Sequence, residues 1–196
     1  DYGNALHRIL EAFHDSDPPA EIGPALARLN ELSEAEFARV PAYHAAAWRA
    51  RWTARQPAYV EWWLREHAAG WRFAAGEQEL ARVIEVAGLG AVTLGGRVDR
   101  LDVRDEARRV IDYKTSAAAG LKKKIAAPDE AVQLPVYAWL AEAEAAFLPI
   151  DGDKVEALAL DGETDVETIS LRLRSLLERT AAGAPLVANG VDAVCG

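Results

Sequence analysis

Apolar positions in the first third of the chain recur with a helical period. Leu6, Ile9, Leu10 and Phe13 fall at i, i+3, i+4 and i+7, the spacing of one buried stripe. "SEAE", residues 33–36, has the capping-box pattern of a second helix start. From Ala42 to Ala69 the chain is rich in Ala, Arg, Glu and Trp. Pro57 suits the first position of a further helix there, where its missing N–H costs no hydrogen bond. Near Gly76 the period shortens. "ELARVIEV", "AVTLGGRVDRLDV" and "RRVIDYK" are rich in Val, Ile and Leu and are separated by "AGLGA" and "RDEA", which predicts three consecutive antiparallel strands. "SAAAGLKKKIAAPDE" reads as a mobile loop carrying three lysines. "DEAVQLPVYAWLAEAEAAF" predicts a helix, with Pro135 marking a kink or the first turn. "KVEALAL" predicts a fourth strand, and "DVETISLRLRSLLERTAAG" a closing amphipathic helix that stops near Gly183. There are no internal repeats.

This order of elements predicts one α/β domain: a helical part over 1–72, a sheet-bearing core over 73–160, and a terminal helix and tail over 161–196. With 196 residues, 51% of them hydrophobic, the chain can bury a full core. A single cysteine excludes a disulfide framework and fits a reducing, cytoplasmic setting. No apolar run reaches the ~20 residues that span a bilayer, and no signal peptide is visible. The absence of methionine, even at position 1, suggests a piece of a longer protein.

The formal charge of −9 argues superficially against a nucleic-acid partner, but its distribution changes that picture. Between Arg97 and Lys124 nine Lys/Arg face five Asp/Glu, a local +4, so the remainder carries −13. A basic patch on an acidic body is compatible with phosphate contacts, and equally with a solvated charged surface.

The candidate chemistry lies in "VIDYKTS". Asp112 and Lys114 are two apart on a strand and share a face, while Ile111 and Tyr113 take the other. If two residues connect the strands after Arg104, Asp99 falls opposite Asp112 and Arg97 opposite Lys114. Four connecting residues also keep Asp99 on the face of Asp112; three without a bulge do not. Two converging carboxylates repel, and a divalent cation resolves the repulsion. Hard oxygen ligands suit Mg²⁺, or Mn²⁺ in its place. The bland reading is a surface ion pair worth about 0–1 kcal/mol. Trp48, Trp52, Trp62, Trp63 and Trp71 are candidate base-stacking platforms, although tryptophans at helical spacing more often pack a core. His7, Glu11 and His14 form a polar helix face on which a zinc site is conceivable. His44 and His67 read as ordinary surface or half-buried residues.

"GRVDRLD", then "VIDYKTS", then "QLPVY" on a helix, with "DYGNALHRILEAF" at the start, resembles the PD-(D/E)XK nuclease superfamily, in its RecB-like branch. The likeness is nearest to the C-terminal nuclease domain of AddB-type subunits of AddAB helicase–nucleases, which process double-strand breaks. It implies a restriction-endonuclease-like core: a mixed, mostly antiparallel sheet flanked by helices. It also implies His7, Asp99 and Asp112 as metal ligands, assisted by the carbonyl of Tyr113, and Lys114 as the catalytic lysine. Gln133 and Tyr137 would border the site. Arg97 and Arg100 would be phosphate contacts, and Lys122, Lys123 and Lys124 either touch DNA or lie in a solvated loop. The implied function is Mg²⁺-dependent cleavage of DNA, exonucleolytic on single strands, in the cytoplasm at the nucleoid and beside an AddA-type subunit. The competing expectation is a catalytically silent DNA-binding or docking module with the same fold. AddB-type domains commonly hold a 4Fe–4S cluster on four cysteines. Here only Cys195 stands where one of them falls, so this chain alone cannot build it.

Overall fold

The structure, a computed structural model, describes residues 1–126, 132–160 and 166–184. Four helices come first: α1 (Tyr2–Asp15), α2 (Ile22–Phe37), α3 (Ala42–Thr53) and α4 (Gln56–Ala68). The stripe read from the sequence is the buried face of α1, where Leu6, Leu10 and Phe13 are fully enclosed. Asp1 caps that helix by accepting the Asn4 amide at 2.9 Å. α2 runs straight through "SEAE", correcting the expected helix start. Ser33 is buried inside the helix, donating to the Leu29 carbonyl and accepting from Trp52 Nε1, so its hydroxyl is a core hydrogen-bond hub and not a cap.

The three antiparallel strands are present as β1 (Arg72–Val86), β2 (Gly90–Arg104) and β3 (Ala107–Lys114). β1 begins seven residues before "ELARVIEV", with a register shift between Phe73 and Ala75. Arg104 pairs with Ala107, so the β2–β3 connection is the two-residue turn Asp105–Glu106, with Asp105 at φ 51°, a conformation aspartate tolerates.

After β3 the structure departs from expectation. The foreseen loop contains a helix, α5 (Ala118–Ile125), anchored by buried Leu121 with its three lysines outward. The long helix expected next is divided into α6 (Gln133–Ala141) and β4 (Glu144–Pro149), with Glu142 left-handed at the break. Alanine-rich "EAEAAF" favours helix locally, but parallel pairing with β3 buries Ala145, Ala146, Phe147 and Leu148, and tertiary burial wins. Pro135 sits in the first turn of α6, where it breaks nothing. "KVEALAL" supplies only the two-residue β5 (Leu158–Ala159), and α7 (Val166–Ala181) follows, with Gly183 at φ 81° just beyond it.

The sheet order is β1-β2-β3-β4-β5, antiparallel except for β3–β4, so the expected mixed α/β architecture is present. One core lies between the sheet and α1–α4, joining Ile9, Phe13, Tyr59 and Trp62 to Ile111 and Tyr113. The other side joins Val98, Val110 and Phe147 to Leu121, Leu134 and Ala138. Trp52, Trp62, Trp63 and Trp71 are buried and Trp48 is half-buried against that packing, which makes them core residues.

Candidate active site

The β2–β3 ladder ends at Arg100 opposite Ile111. There the Asp99 carboxylate replaces main-chain pairing: its Oδ2 accepts the Tyr113 amide at 2.7 Å. From the α1 side His7 reaches the same point, with Nδ1 3.4 Å from Asp99 Oδ1 and 3.7 Å from Glu77 Oε1. On β3, Asp112 Oδ1 accepts from Gln133 Nε2 at 3.3 Å, while Oδ2 forms an ion pair with the Lys114 ammonium. Lys114 is the one partner of this buried Oδ2 among the described residues, which leaves the oxygen spare acceptor capacity. Gln133 also donates to the Tyr137 hydroxyl at 3.1 Å, and Tyr137 lines a cleft of about 720 Å³ with His7, Glu77, Arg97 and Asp99.

The electrostatics mark these groups as one unit. Burial pushes Asp99 up to about 6, against the lowering effects of the Tyr113 amide and of Lys114. Burial, and then the charge of Asp99, push Asp112 up to about 6 as well, with Lys114 and His7 opposing. Burial holds His7 below its ordinary value, so it stands as a neutral imidazole, the form that ligates metals.

Glu77 was not foreseen. Gly76 pairs with Arg100 and Gln78 with Val98, which puts Glu77 across from Asp99 on the neighbouring strand. It holds φ 46°, a left-handed conformation inside a strand that is strained for a side chain bearing Cβ. Gly76 beside it lets α1 come close, since a Cβ there would stand 3.1 Å from Glu11 Cγ. No local pattern marked Glu77, because its position depends on the β1–β2 register.

Ligand atoms of His7, Glu77 and Asp99 lie within 4.8 Å of one another, the one such group among the described residues. Imidazole with two carboxylates, near the buried carboxylate of Asp112, is a donor set that fits Mg²⁺ or Mn²⁺. Other expected residues lie elsewhere. Arg97 is well exposed and pairs with Glu77 at 3.0 Å; it does not face Lys114, because the β2–β3 ladder has ended. Arg100, expected as a phosphate contact, is 1% exposed and faces the opposite core. His14 is buried against Tyr59 and Arg100, which dismantles the imagined zinc face. Lys122, Lys123 and Lys124 are exposed on α5, and Cys195 lies outside the described residues.

Residues 1–195 match the family described as the PD-(D/E)XK nuclease superfamily. The chain belongs to that superfamily. No curated protein matches the chain. Among solved structures, one described as "Crystal structure of SSO0001" is 21% identical, with a TM-score of 0.41, covering 93% of this chain and 75% of its own. Within this PD-(D/E)XK chain, the Tyr113 amide joins Asp99 of β2 to the strand that carries Asp112 and Lys114.

Proposed function

We propose that this protein is a Mg²⁺-dependent deoxyribonuclease that hydrolyses phosphodiester bonds, acting exonucleolytically on single strands during double-strand break processing. The observation that carries the reading is the His7–Glu77–Asp99 ligand group lining one cleft, with the Asp112–Lys114 pair tied to it through the Tyr113 amide and Gln133. His7, Glu77 and Asp99 would hold the ion, with Asp112 and the Tyr113 carbonyl completing the set. A divalent cation bound there supplies an acidified water and neutralises charge on the scissile phosphate. Asp99 keeps the two strands in register at the site through the Tyr113 amide. Gln133 fixes Asp112 and Tyr137 together across α6 and β3. Lys114, held by Asp112, presents its ammonium to the attacking water and to the charge that develops on the phosphate oxygens. Arg97 lies between the cleft and a second groove lined by Leu80, Ala81, Gly95 and Gly96, a path that suits one flexible strand with Arg97 on a flanking phosphate. Lys122, Lys123 and Lys124, exposed on α5 toward the β5 end of the sheet, would offer a separate set of phosphate contacts.

The AddB-like motif set supports an AddA-type helicase partner, a cytoplasmic, nucleoid-associated location, and a role for Cys195 as one of the roughly four thiolates of a 4Fe–4S cluster in a longer chain. Among the described residues no helix is long and apolar enough to cross a membrane. The test is cleavage of end-labelled single-stranded and duplex DNA with Mg²⁺ or EDTA. Wild type should shorten single strands only with Mg²⁺, and Asp112→Ala and Lys114→Ala should each lose at least about 100-fold while keeping the fold. Normal cutting by both variants rejects the proposed chemistry, and DNA binding without cutting by wild type indicates the silent module.

A further inference from the structure

We infer that Arg100 is a positioning residue of the nuclease centre, its buried guanidinium fixing the separation of the strands that carry Asp99 and Asp112. This inference rests on the nuclease reading.

Main-chain pairing between β2 and β3 stops at Arg100 opposite Ile111, one residue short of both acids. Beyond that point no ladder sets their spacing, and side-chain ties take over. Arg100 follows Asp99 in sequence and points to the opposite face, into the core beneath α1 and α4. Its Nη1 lies 2.6 Å from His14 Nε2, 3.3 Å from the Tyr59 hydroxyl and 3.5 Å from the Tyr113 hydroxyl. Its Nε donates to Asp102 Oδ1 at 2.6 Å. Asp102, fully buried, passes the tie to Arg109 at 3.0 Å, and Arg109 reaches Glu66 on α4 at 2.6 Å.

Two of these branches lead to the site, and the one through Asp102 and Arg109 anchors the network on α4. Tyr113 stands between Asp112 and Lys114; its amide is held by Asp99 and its hydroxyl by Tyr59 and Arg100, so it is fastened at both ends. His14 lies two turns along α1 from His7, so the contact from Arg100 also fixes the rotation of the helix that presents His7. Asp99 is the residue before Arg100. One guanidinium thus connects the elements bearing His7, Asp99, Asp112 and Lys114. Stability alone does not demand it, because buried ion networks commonly cost several kcal/mol of desolvation and apolar groups of like volume can serve as well.

The test compares Tyr113→Phe with the pair Arg100→Met plus Asp102→Asn, in which Asn keeps an acceptor for Arg109. Thermal unfolding, Mn²⁺ affinity by electron paramagnetic resonance, and kcat and KM on single-stranded DNA are measured for each. Both proteins should melt cooperatively, bind Mn²⁺ about tenfold more weakly, and lose about 10–100-fold in kcat with KM little changed, the effect of groups displaced by ångström-scale shifts. Arg100→Lys should not rescue, because a point charge cannot span His14 and Asp102 as a fork does. Folded variants with wild-type Mn²⁺ affinity and kcat overturn the inference. If the double variant does not fold, Tyr113→Phe decides alone. If wild type cuts no DNA, the nuclease reading falls and Mn²⁺ affinity still decides whether Arg100 positions the site.

Discussion

Two side chains show what the site costs the fold. Glu77 holds its left-handed backbone only because the surrounding strands impose it. Glycine relieves such strain, so Glu77→Gly should be more stable than Glu77→Ala by about 1 kcal/mol, the reverse of the usual order in a strand. Chemical denaturation of the two variants measures the difference, and both should bind Mn²⁺ more weakly than wild type. The acidic pair stores a second cost. Asp99 and Asp112 sit at about 6 instead of near 3.8, so the folded protein holds their protons more tightly than the unfolded chain does. Their contribution to stability is therefore fully present below the unfolded value and is lost as pH rises through about 6. In metal-free protein Asp112→Asn should gain on wild type between pH 4 and 7, by on the order of 1–2 kcal/mol. Thermal melts at several pH values check this. A constant difference between the two proteins would mean that Asp112 carries no such burden.

Among the elements, α6 packs closely on the sheet. Gly96 of β2 lies beneath it, and a Cβ there would stand 3.1 Å from Tyr137 Cε1 and 3.2 Å from Leu140 Cδ1. Gly96→Ala should therefore push α6 away, cost about 1–2 kcal/mol, and lower cleavage more than a surface substitution of equal destabilisation, because Tyr137 and Gln133 move together. Local pattern made much of this level legible. The stripe of α1 and the three antiparallel strands are written in neighbouring residues, whereas the length of the turn at Asp105 is fixed only by the pairing of Arg104 with Ala107. β4 was hidden because an alanine-rich segment reads as helix until a partner strand buries it. α5 was hidden because one buried leucine, Leu121, is too faint a periodic signal. The site divides in the same way. Asp112 with Lys114 follows from spacing along one strand, Asp99 from pairing across β2 and β3, and Gln133 and Tyr137 from the family resemblance, whereas Glu77 emerges only from its place opposite Asp99 in the β1–β2 register. Arg100 was readable in principle: strand alternation puts it on the face opposite Asp99, with Asp102.

At the scale of the molecule, the sheet separates two cores, and the site lies where that partition opens between β2 and β3. His7 comes from one layer and Gln133 from the other, so assembly of the site requires both layers to be folded. Arg100 and Arg109 are buried, but the exposed cations between Arg97 and Lys124, on a protein of net charge −9, should make binding of single-stranded DNA fall with salt. Replacing Lys122, Lys123 and Lys124 together by alanine should flatten that dependence in fluorescence anisotropy titrations while leaving the melting temperature nearly unchanged. A salt slope identical to wild type would remove α5 from the DNA path. The most direct measurement of the metal centre is a crystal soaked in Mn²⁺, read by anomalous diffraction. The expected result is an anomalous peak touching carboxylate oxygens of both Asp99 and Asp112 at about 2.0–2.2 Å, with the Lys114 ammonium alongside. A cleft without a peak, or an ion that Asp99 and Asp112 do not share, contradicts it.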